Sequence, residues 1–169
     1  MRAFLGLGSN LGDSERLLAD ALAGLPDVVA VSGLYRSAPV GGPEQPPYLN
    51  LVAELRTTLG PYELLEHCRR AEAKAHRVRL EPDGPRTLDV DVLAYGDLRL
   101  DDPELTLPHP RMTQRRFVME PLLELTAVLV PDSLPPAGLV PSSLPPALLD
   151  QDCRRIGPAP WQPAAQAHA

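Results

Sequence analysis

The sequence predicts an α+β domain with a mostly antiparallel sheet. Three observations lead to this class: apolar alternation typical of strands recurs along the chain, helical periodicity occurs between the strands, and neighbouring strands are spaced like hairpins. A chain of 169 residues can bury a sizeable core without disulfides. We therefore expect one compact unit.

The first half of the chain alternates strand and helix. A short apolar strand ends in the turn GSNLGD, where Asp13 or Ser14 can cap a helix with an apolar face. Two segments with strand composition follow, separated by the Pro- and Gly-rich loop SAPVGGPEQPP, whose length is typical of functional loops. The predicted elements are a strand at Ala3–Leu7, a helix to about Leu25, and strands at Val28–Ser37 and Leu49–Thr57.

The second half predicts two more helices and a hairpin. Pro61 suits the first turn of a helix with the body YELLEHCRRAEAKAH. The stretch GPRTLDVDVL, residues 84–93, alternates as a strand, and the turn at residues 95–97 predicts that it pairs with LRL. A helix from about Gln114 to Thr126 closes the ordered part. We expect residues 1–130 to form the core and residues 131–169 to be a Pro-rich extension, partly extended or disordered.

Charge and cysteine content limit the partners. The net charge of −6 and the pI near 5.2 argue against a general nucleic-acid or anionic-membrane surface, and no run approaches transmembrane length. Cys68 and Cys153 lie far apart without CxxC spacing, which suggests neither zinc nor a disulfide framework. We expect a cytoplasmic protein in which a local arginine cluster would meet any polyanion.

The strand GPRTLDVDVL carries two acids on one face. Residues two apart in a strand lie on the same side, roughly 7 Å apart, so Asp89 and Asp91 project together while Leu88, Val90 and Val92 face the core. Such a pair can hold a magnesium-type cation together with substrate phosphates. A solvated acidic pair is the commoner explanation of a DxD match alone, because short motifs produce many false positives.

Arginines surround this acid pair in the sequence. Guanidinium groups bind phosphate oxygens, and beside a metal-binding carboxylate pair they would complete a phosphoryl-transfer site, although clustered arginines are often only a solvated face. The chain has no GxxxxGK[ST] loop and no kinase signature set, so such an enzyme would lie outside the common nucleotide folds. The arginines are Arg77, Arg79, Arg86, Arg115 and Arg116.

Four motifs in order resemble a known family. They are GLGSNLGD, YRSAPVGGPEQPPYLN, GPRTLDVDVL and LPHPRMTQRRFV. Together they are similar to the 6-hydroxymethyl-7,8-dihydropterin pyrophosphokinases of folate biosynthesis, from about Ala3 to Val130. The resemblance implies a ferredoxin-like α/β/α sandwich that transfers pyrophosphate from ATP to the pterin hydroxymethyl group with two magnesium ions and releases AMP. We expect a monomer with small-molecule substrates and no nucleic-acid or membrane partner.

The resemblance also implies roles for individual residues. Asp89 and Asp91 would bind the metal and, with Arg77 and Arg86, form the catalytic set. The implied ATP contacts are Glu72, Arg77, Arg79, Arg86, Val92, Thr106, His109 and Arg115. The implied pterin pocket has Tyr48 and Phe117 on the two ring faces and Asn50 at the polar edge, lined by the backbone of Ser37, Ala38 and Val40.

These roles have alternatives on residue chemistry alone. Aromatic residues such as Tyr48 and Phe117 more often pack in a core than contact a ligand. His109, which precedes a proline, would more often be a turn residue than a ligand contact. The family usually has Trp before GPR, whereas this chain has Asp83, so we expect the loop to dock differently and ATP affinity to be lower. A non-catalytic nucleotide- or pterin-binding protein is therefore the second hypothesis.

An RNA-binding module is disfavoured by the acidic charge and the absence of an RNP1-type aromatic run.

Overall fold

Six strands form one sheet in which every described pairing is antiparallel. The structure is a computed structural model that describes residues 1–77, 82–128 and 143–161. In chain order the elements are β1 (Arg2–Ser9), α1 (Ser14–Gly24), β2 (Val28–Val31), β3 (Leu34–Ser37), β4 (Tyr48–Arg56), α2 (Pro61–Lys74), β5 (Asp89–Tyr95), β6 (Leu100–Asp101), β7 (Thr106–Leu107), α3 (Arg116–Val128) and β8 (Cys153–Gly157). The sheet order is β5-β1-β4-β3-β8, and β2 also pairs with β4.

Helices cover both faces of this sheet. On one face α1 and α2 bury leucines such as Leu18 and Leu64 against Leu5 and Leu55. On the other face α3 packs Met119 and its neighbours against the sheet. The α+β class and the mostly antiparallel sheet are confirmed.

Most predicted strands and helices are present, with two local differences. The segment predicted as one strand at Val28–Ser37 is divided at residues 32–33, because the Val52 N–H donates to the Ser32 hydroxyl at 2.9 Å and the Gly33 N–H donates to Glu124 at 3.0 Å. The predicted hairpin between β5 and the LRL segment is wrong. Instead, β6 pairs with β7 in a separate two-stranded sheet.

The described part of the extension joins the sheet. Strand β8 pairs with β3, and Trp161, partly buried, packs against the larger core. The Ala-rich end of the tail lies outside the described residues. The division into a core of 1–130 and an extension of 131–169 stays a prediction.

Two further features are the state of the cysteines and the character of the helices. Cys68 and Cys153 are both buried and form no disulfide. Among the described residues, no helix combines the length and the apolar character needed to cross a bilayer.

The packing of α2 on the sheet can be tested at Leu64, which is fully buried. We expect Leu64→Ala to lower the free energy of unfolding by about 2–5 kcal/mol, because it removes transfer free energy and leaves a cavity. Urea titration followed by circular dichroism measures the change. The control is Leu98→Ala at a position 38% exposed, which we expect to cost no more than about 0.5 kcal/mol. Equal losses in the two variants would contradict the assigned core.

Candidate active site

The two aspartates of β5 project from the sheet on the side that α3 covers. Leu88, Val90 and Val92 are buried in the opposite core, as the alternation predicted. Burial raises the pKa of Asp91, and the charge of Asp89 raises it further. Positive charge close by therefore favours the ionised form of Asp91.

Arginines and a glutamate surround Asp89. Arg77 Nη1 lies 2.6 Å from Asp89 Oδ1, and Arg86 Nη1 lies 2.8 Å from Asp89 Oδ2. Arg77 also pairs closely with Glu72, whose Oε1 accepts the backbone N–H of Val90 at 2.9 Å. Glu72 thus links α2 to the outer edge of β5 and fixes Arg77 over the carboxylate pair.

A histidine and an arginine face Asp91. His109 Nε2 lies 3.7 Å and Arg115 Nη1 3.9 Å from Asp91 Oδ2. Burial lowers the pKa of His109, so the ring is neutral at pH 7. Because its Nδ1 accepts the Arg111 N–H at 3.2 Å, its hydrogen is on Nε2 and faces Asp91.

Glycines of β1 form the floor beside the aspartates. Gly8 is paired with Asp89 on one side and with Asn50 on the other, and Gly6 is paired with Asp91. A Cβ at Gly8 would lie 3.1 Å from Asn50 Oδ1. The missing side chains leave room between β4 and β5. The sequence-based prediction placed the end of β1 at Leu7 and missed this role, although the alternating glycines of GLGS were a usable signal.

A cavity of about 320 Å³ lies over this floor and brings together every residue implied for the pterin. Asn50 and Ser37 are buried, and Asn50 Nδ2 donates to the Ser37 hydroxyl at 2.8 Å. Each aromatic ring has an arginine nearby: the Arg86 guanidinium is 5.6 Å from the Tyr48 ring centre, and the same distance separates Arg115 from Phe117. The six implied residues in its lining are Ser37, Ala38, Val40, Tyr48, Asn50 and Phe117.

A second cavity, of about 550 Å³, adjoins the first, and most of the residues that line it are of charged or polar types. It is lined by Arg77, Arg86, His109 and Arg115, four of the residues implied for ATP. The two cavities meet at a shared set of side chains. These are Asp83, Arg86, Asp89, Asp91, Arg111 and Arg115.

Three residues implied for ATP do not line these cavities. Val92 is buried in the core, Glu72 lies behind Arg77, and the Thr106 hydroxyl donates to the Asp102 carbonyl at 3.4 Å. A fourth, Arg79, lies outside the described residues. Their contact with a nucleotide stays a prediction.

Asn10 lines neither cavity but supports the site from behind, a role that sequence reasoning missed. It is buried, and its Nδ2 donates to Gln45 Oε1 at 3.0 Å and to the Pro46 carbonyl at 2.8 Å. Its Oδ1 accepts the Arg86 N–H at 2.9 Å. Asn10 therefore ties the long loop to the strand entry at Arg86. Arg111, which lines both cavities, was also missed, and only its place beside His109 in the sequence indicates it.

The long loop contacts the segment that holds Asp83. Gln45 Nε2 donates to the Asp83 carbonyl at 2.8 Å, and a Cβ at Gly42 would lie 2.4 Å from that oxygen. Asp83 has a φ of 52°, a left-handed conformation that aspartate tolerates better than most residues. Asp83 thus lies where the two loops and the two cavities meet.

The carboxylate pair is the candidate for a metal ion. Within the described residues, no group of three or more His, Cys, Asp or Glu side chains is placed to hold one. A site made of Asp89 and Asp91 alone would need other oxygen ligands. Magnesium commonly binds in this way, through one or two carboxylates plus phosphate oxygens and water.

The fold and the two cavities that meet at a carboxylate pair are typical of an enzyme with two substrates. The model of the 7,8-dihydro-6-hydroxymethylpterin-pyrophosphokinase family matches residues 4–127. The chain is 46% identical over 134 residues to the 2-amino-4-hydroxy-6-hydroxymethyldihydropteridine pyrophosphokinase of Methylorubrum extorquens, covering 76% of this chain and 85% of that protein.

Two further relatives carry the same name. The Bacillus subtilis protein is 41% identical over 128 residues, covering 73% of this chain and 77% of its own length. The Synechocystis protein is 43% identical over 162 residues, covering 92% of this chain and 79% of its own length. The chain belongs to the 7,8-dihydro-6-hydroxymethylpterin-pyrophosphokinase family.

The loop contact at Gly42 can be tested with a matched pair of variants. Gly41 and Gly42 have φ of 74° and 73°, but only a Cβ at Gly42 meets the Asp83 carbonyl. We expect Gly42→Ala to speed amide hydrogen exchange at Asp83, Gly84 and Arg86 by about tenfold relative to Gly41→Ala, because a contact worth about 1.4 kcal/mol is lost. Equal exchange in the two variants would show that backbone strain, not loop contact, controls this segment.

Proposed function

We propose that this chain transfers the pyrophosphoryl group of MgATP to the hydroxymethyl oxygen of 6-hydroxymethyl-7,8-dihydropterin, giving AMP and the pterin diphosphate. The observation that carries the proposal is that Asp89 and Asp91 line both cavities at once. A group bound between them can contact a donor on one side and an acceptor on the other. Family membership supports the same reaction.

The smaller cavity is the proposed pterin site. A pterin is flat and edged with donors and acceptors, so it needs aromatic faces and an amide. Asn50 uses its Nδ2 to bond Ser37, which leaves Oδ1 above Gly8 as an acceptor for an amino group. The Tyr48 hydroxyl lies 3.0 Å from Gln45 Oε1 and 3.1 Å from the Gly84 carbonyl, and its one hydrogen can be donated to either of them.

The larger cavity is the proposed site of the triphosphate. Arg77, Arg86, His109 and Arg115 line it, and the first two contact Asp89. Guanidinium groups bind phosphate oxygens with two parallel hydrogen bonds. We extend the ATP assignment to Glu72, Arg79, Val92 and Thr106 from the family resemblance alone.

The residues present fit magnesium. Two carboxylates lie on one strand face, and the pKa of Asp91 is raised by burial and by the charge of Asp89, so a further cation would stabilise the pair even beside the arginines. Asp89 and Asp91 would hold it, and we propose two ions. When bound, the metal would neutralise charge on the phosphate groups and lower the pKa of the attacking hydroxyl.

The chain's own residues would then act by placement. Tyr48 and Phe117 would orient the ring so that the hydroxymethyl group points at the shared carboxylates, and Arg77 and Arg86 would stabilise charge on the phosphates. The hydroxyl oxygen would attack the β-phosphorus in line with the departing AMP, so no covalent intermediate with the protein is needed.

We also propose a monomeric, cytoplasmic protein that binds neither nucleic acid nor membrane. The net charge of −6 supports the absence of polyanionic partners, and two buried free cysteines are typical of a reducing compartment. We further propose residues 1–130 as the catalytic core, since the family match ends at residue 127.

The proposed reaction predicts a specific product. Incubation with MgATP and the hydroxymethyl-dihydropterin should yield AMP only when both are present. Asp91→Asn, which keeps the shape and removes the charge, should lower kcat by about a thousandfold or more while the pterin Kd changes less than about threefold. The control is Asp97→Asn, an exposed carboxylate in the turn after the same strand. Equal losses of turnover and pterin binding would contradict the metal role, and formation of ADP would contradict the reaction.

Arg77 should matter for ATP and for stability. Arg77→Ala should lower kcat/KM for ATP by about 10- to 100-fold, because a charge-assisted phosphate contact is lost. It should also lower the free energy of unfolding, since Glu72 and Asp89 lose their shared cation. Arg69→Ala is the control and should change kcat/KM less than about twofold, because this arginine of α2 is paired at the surface and lines neither cavity. An unchanged kcat/KM for ATP in Arg77→Ala would contradict a role of Arg77 in ATP binding.

A further inference from the structure

A segment beyond the family match bridges two walls of the smaller cavity. We call this segment, Leu148–Cys153, the C-terminal strap. At one end Cys153 is paired with Ser37, and the Ala38 N–H donates to the Asp152 carbonyl at 3.2 Å. Ser37 and Ala38 line the cavity, so the strap continues the sheet along the first wall.

At its other end the strap holds the turn that leads into α3. Gln151 Nε2 donates to the Gln114 carbonyl at 2.9 Å, and Gln151 Oε1 accepts the Arg116 N–H at 2.9 Å. A carbonyl can only accept and an N–H can only donate, so these partners fix the orientation of the amide. The Gln151 side chain therefore bonds the backbone of the residue before Arg115 and of the residue after it.

Arg116 reinforces this contact. Its guanidinium donates to the Leu149 carbonyl at 3.0 Å and to the Gln151 carbonyl at 2.9 Å, and it pairs with Glu120 at 2.7 Å. Leu148, only 4% exposed, packs in the same small core as Met112 and its neighbours. The strap is thus attached to this wall by polar and apolar contacts together.

We propose that Gln151 is a positioning residue for the pterin acceptor. It does not line the cavity itself, but it fixes the backbone that carries Gln114 and Phe117 relative to the wall at Ser37. The inference rests on the proposed function, because it assigns this cavity to the pterin. We expect the larger effect on the acceptor, because Gln114 and Phe117 line only the smaller cavity. Arg115, which lies between them, lines both cavities and would carry a smaller effect to ATP.

The test compares KM values for the two substrates in full-length protein. Gln151→Leu removes both hydrogen bonds at similar volume, and we expect KM for the dihydropterin to rise about tenfold and KM for ATP less than about twofold. Gln151→Glu keeps the acceptor for Arg116 and loses the donor, so it should give an intermediate pterin KM and serves if the leucine variant folds poorly. The control is Arg154→Ala, an exposed position in β8 directly after the strap.

The outcomes separate this inference from the proposed function. A wild-type protein that forms no AMP would overturn the proposed function. Normal wild-type turnover with an unchanged pterin KM in both Gln151 variants would overturn only the strap's role. Parallel increases of both KM values would also overturn it, since a merely structural contact would affect the two substrates alike.

Discussion

Mutual repulsion between two carboxylates on one face of β5 is the constraint on which the rest of the site depends. Asp91 is buried enough that its pKa rises, and Asp89 adds a second like charge. Ionised carboxylates in such a place need cations, which here come from separate parts of the chain: Arg77 after α2, Arg86 before β5, and Arg115 before α3. One electrostatic requirement thus explains why three segments distant in sequence converge on one strand.

The same strand pairing that places the carboxylates also creates the space beside them. An antiparallel register sets Gly8 between Asp89 and Asn50, and Gly6 opposite Asp91, so two residues without side chains lie in the middle of the sheet. Glycine in a central strand weakens it. The cavity floor therefore costs stability, which the leucine-rich core on the opposite face, with residues such as Leu5 and Leu55, offsets.

Period-two alternation predicted most of the longer strands and the face of Asp89 and Asp91, because burial on one side of a sheet dictates that pattern. It did not predict the division at residues 32–33 or strand β8. It could not predict partners across the sheet. The use of Gly8 as a floor depends on the register with β4 and β5, and the pairing of β6 with β7 depends on contacts far from the local turn. Asn10 was missed for the same reason, since all its partners are distant in sequence.

The aromatic rings connect the two halves of the proposed reaction. Tyr48 and Phe117 each lie within cation–π distance of an arginine that also borders the carboxylates. A pterin stacked between these rings would restrict the same side chains, Arg86 and Arg115, that line the proposed triphosphate site. Because a restricted guanidinium loses less conformational entropy when it binds an anion, an acceptor in one cavity would favour correct placement of the donor in the other. Such coupling between the two substrates needs no large movement of the sheet, because Arg86 and Arg115 already lie where the two cavities meet.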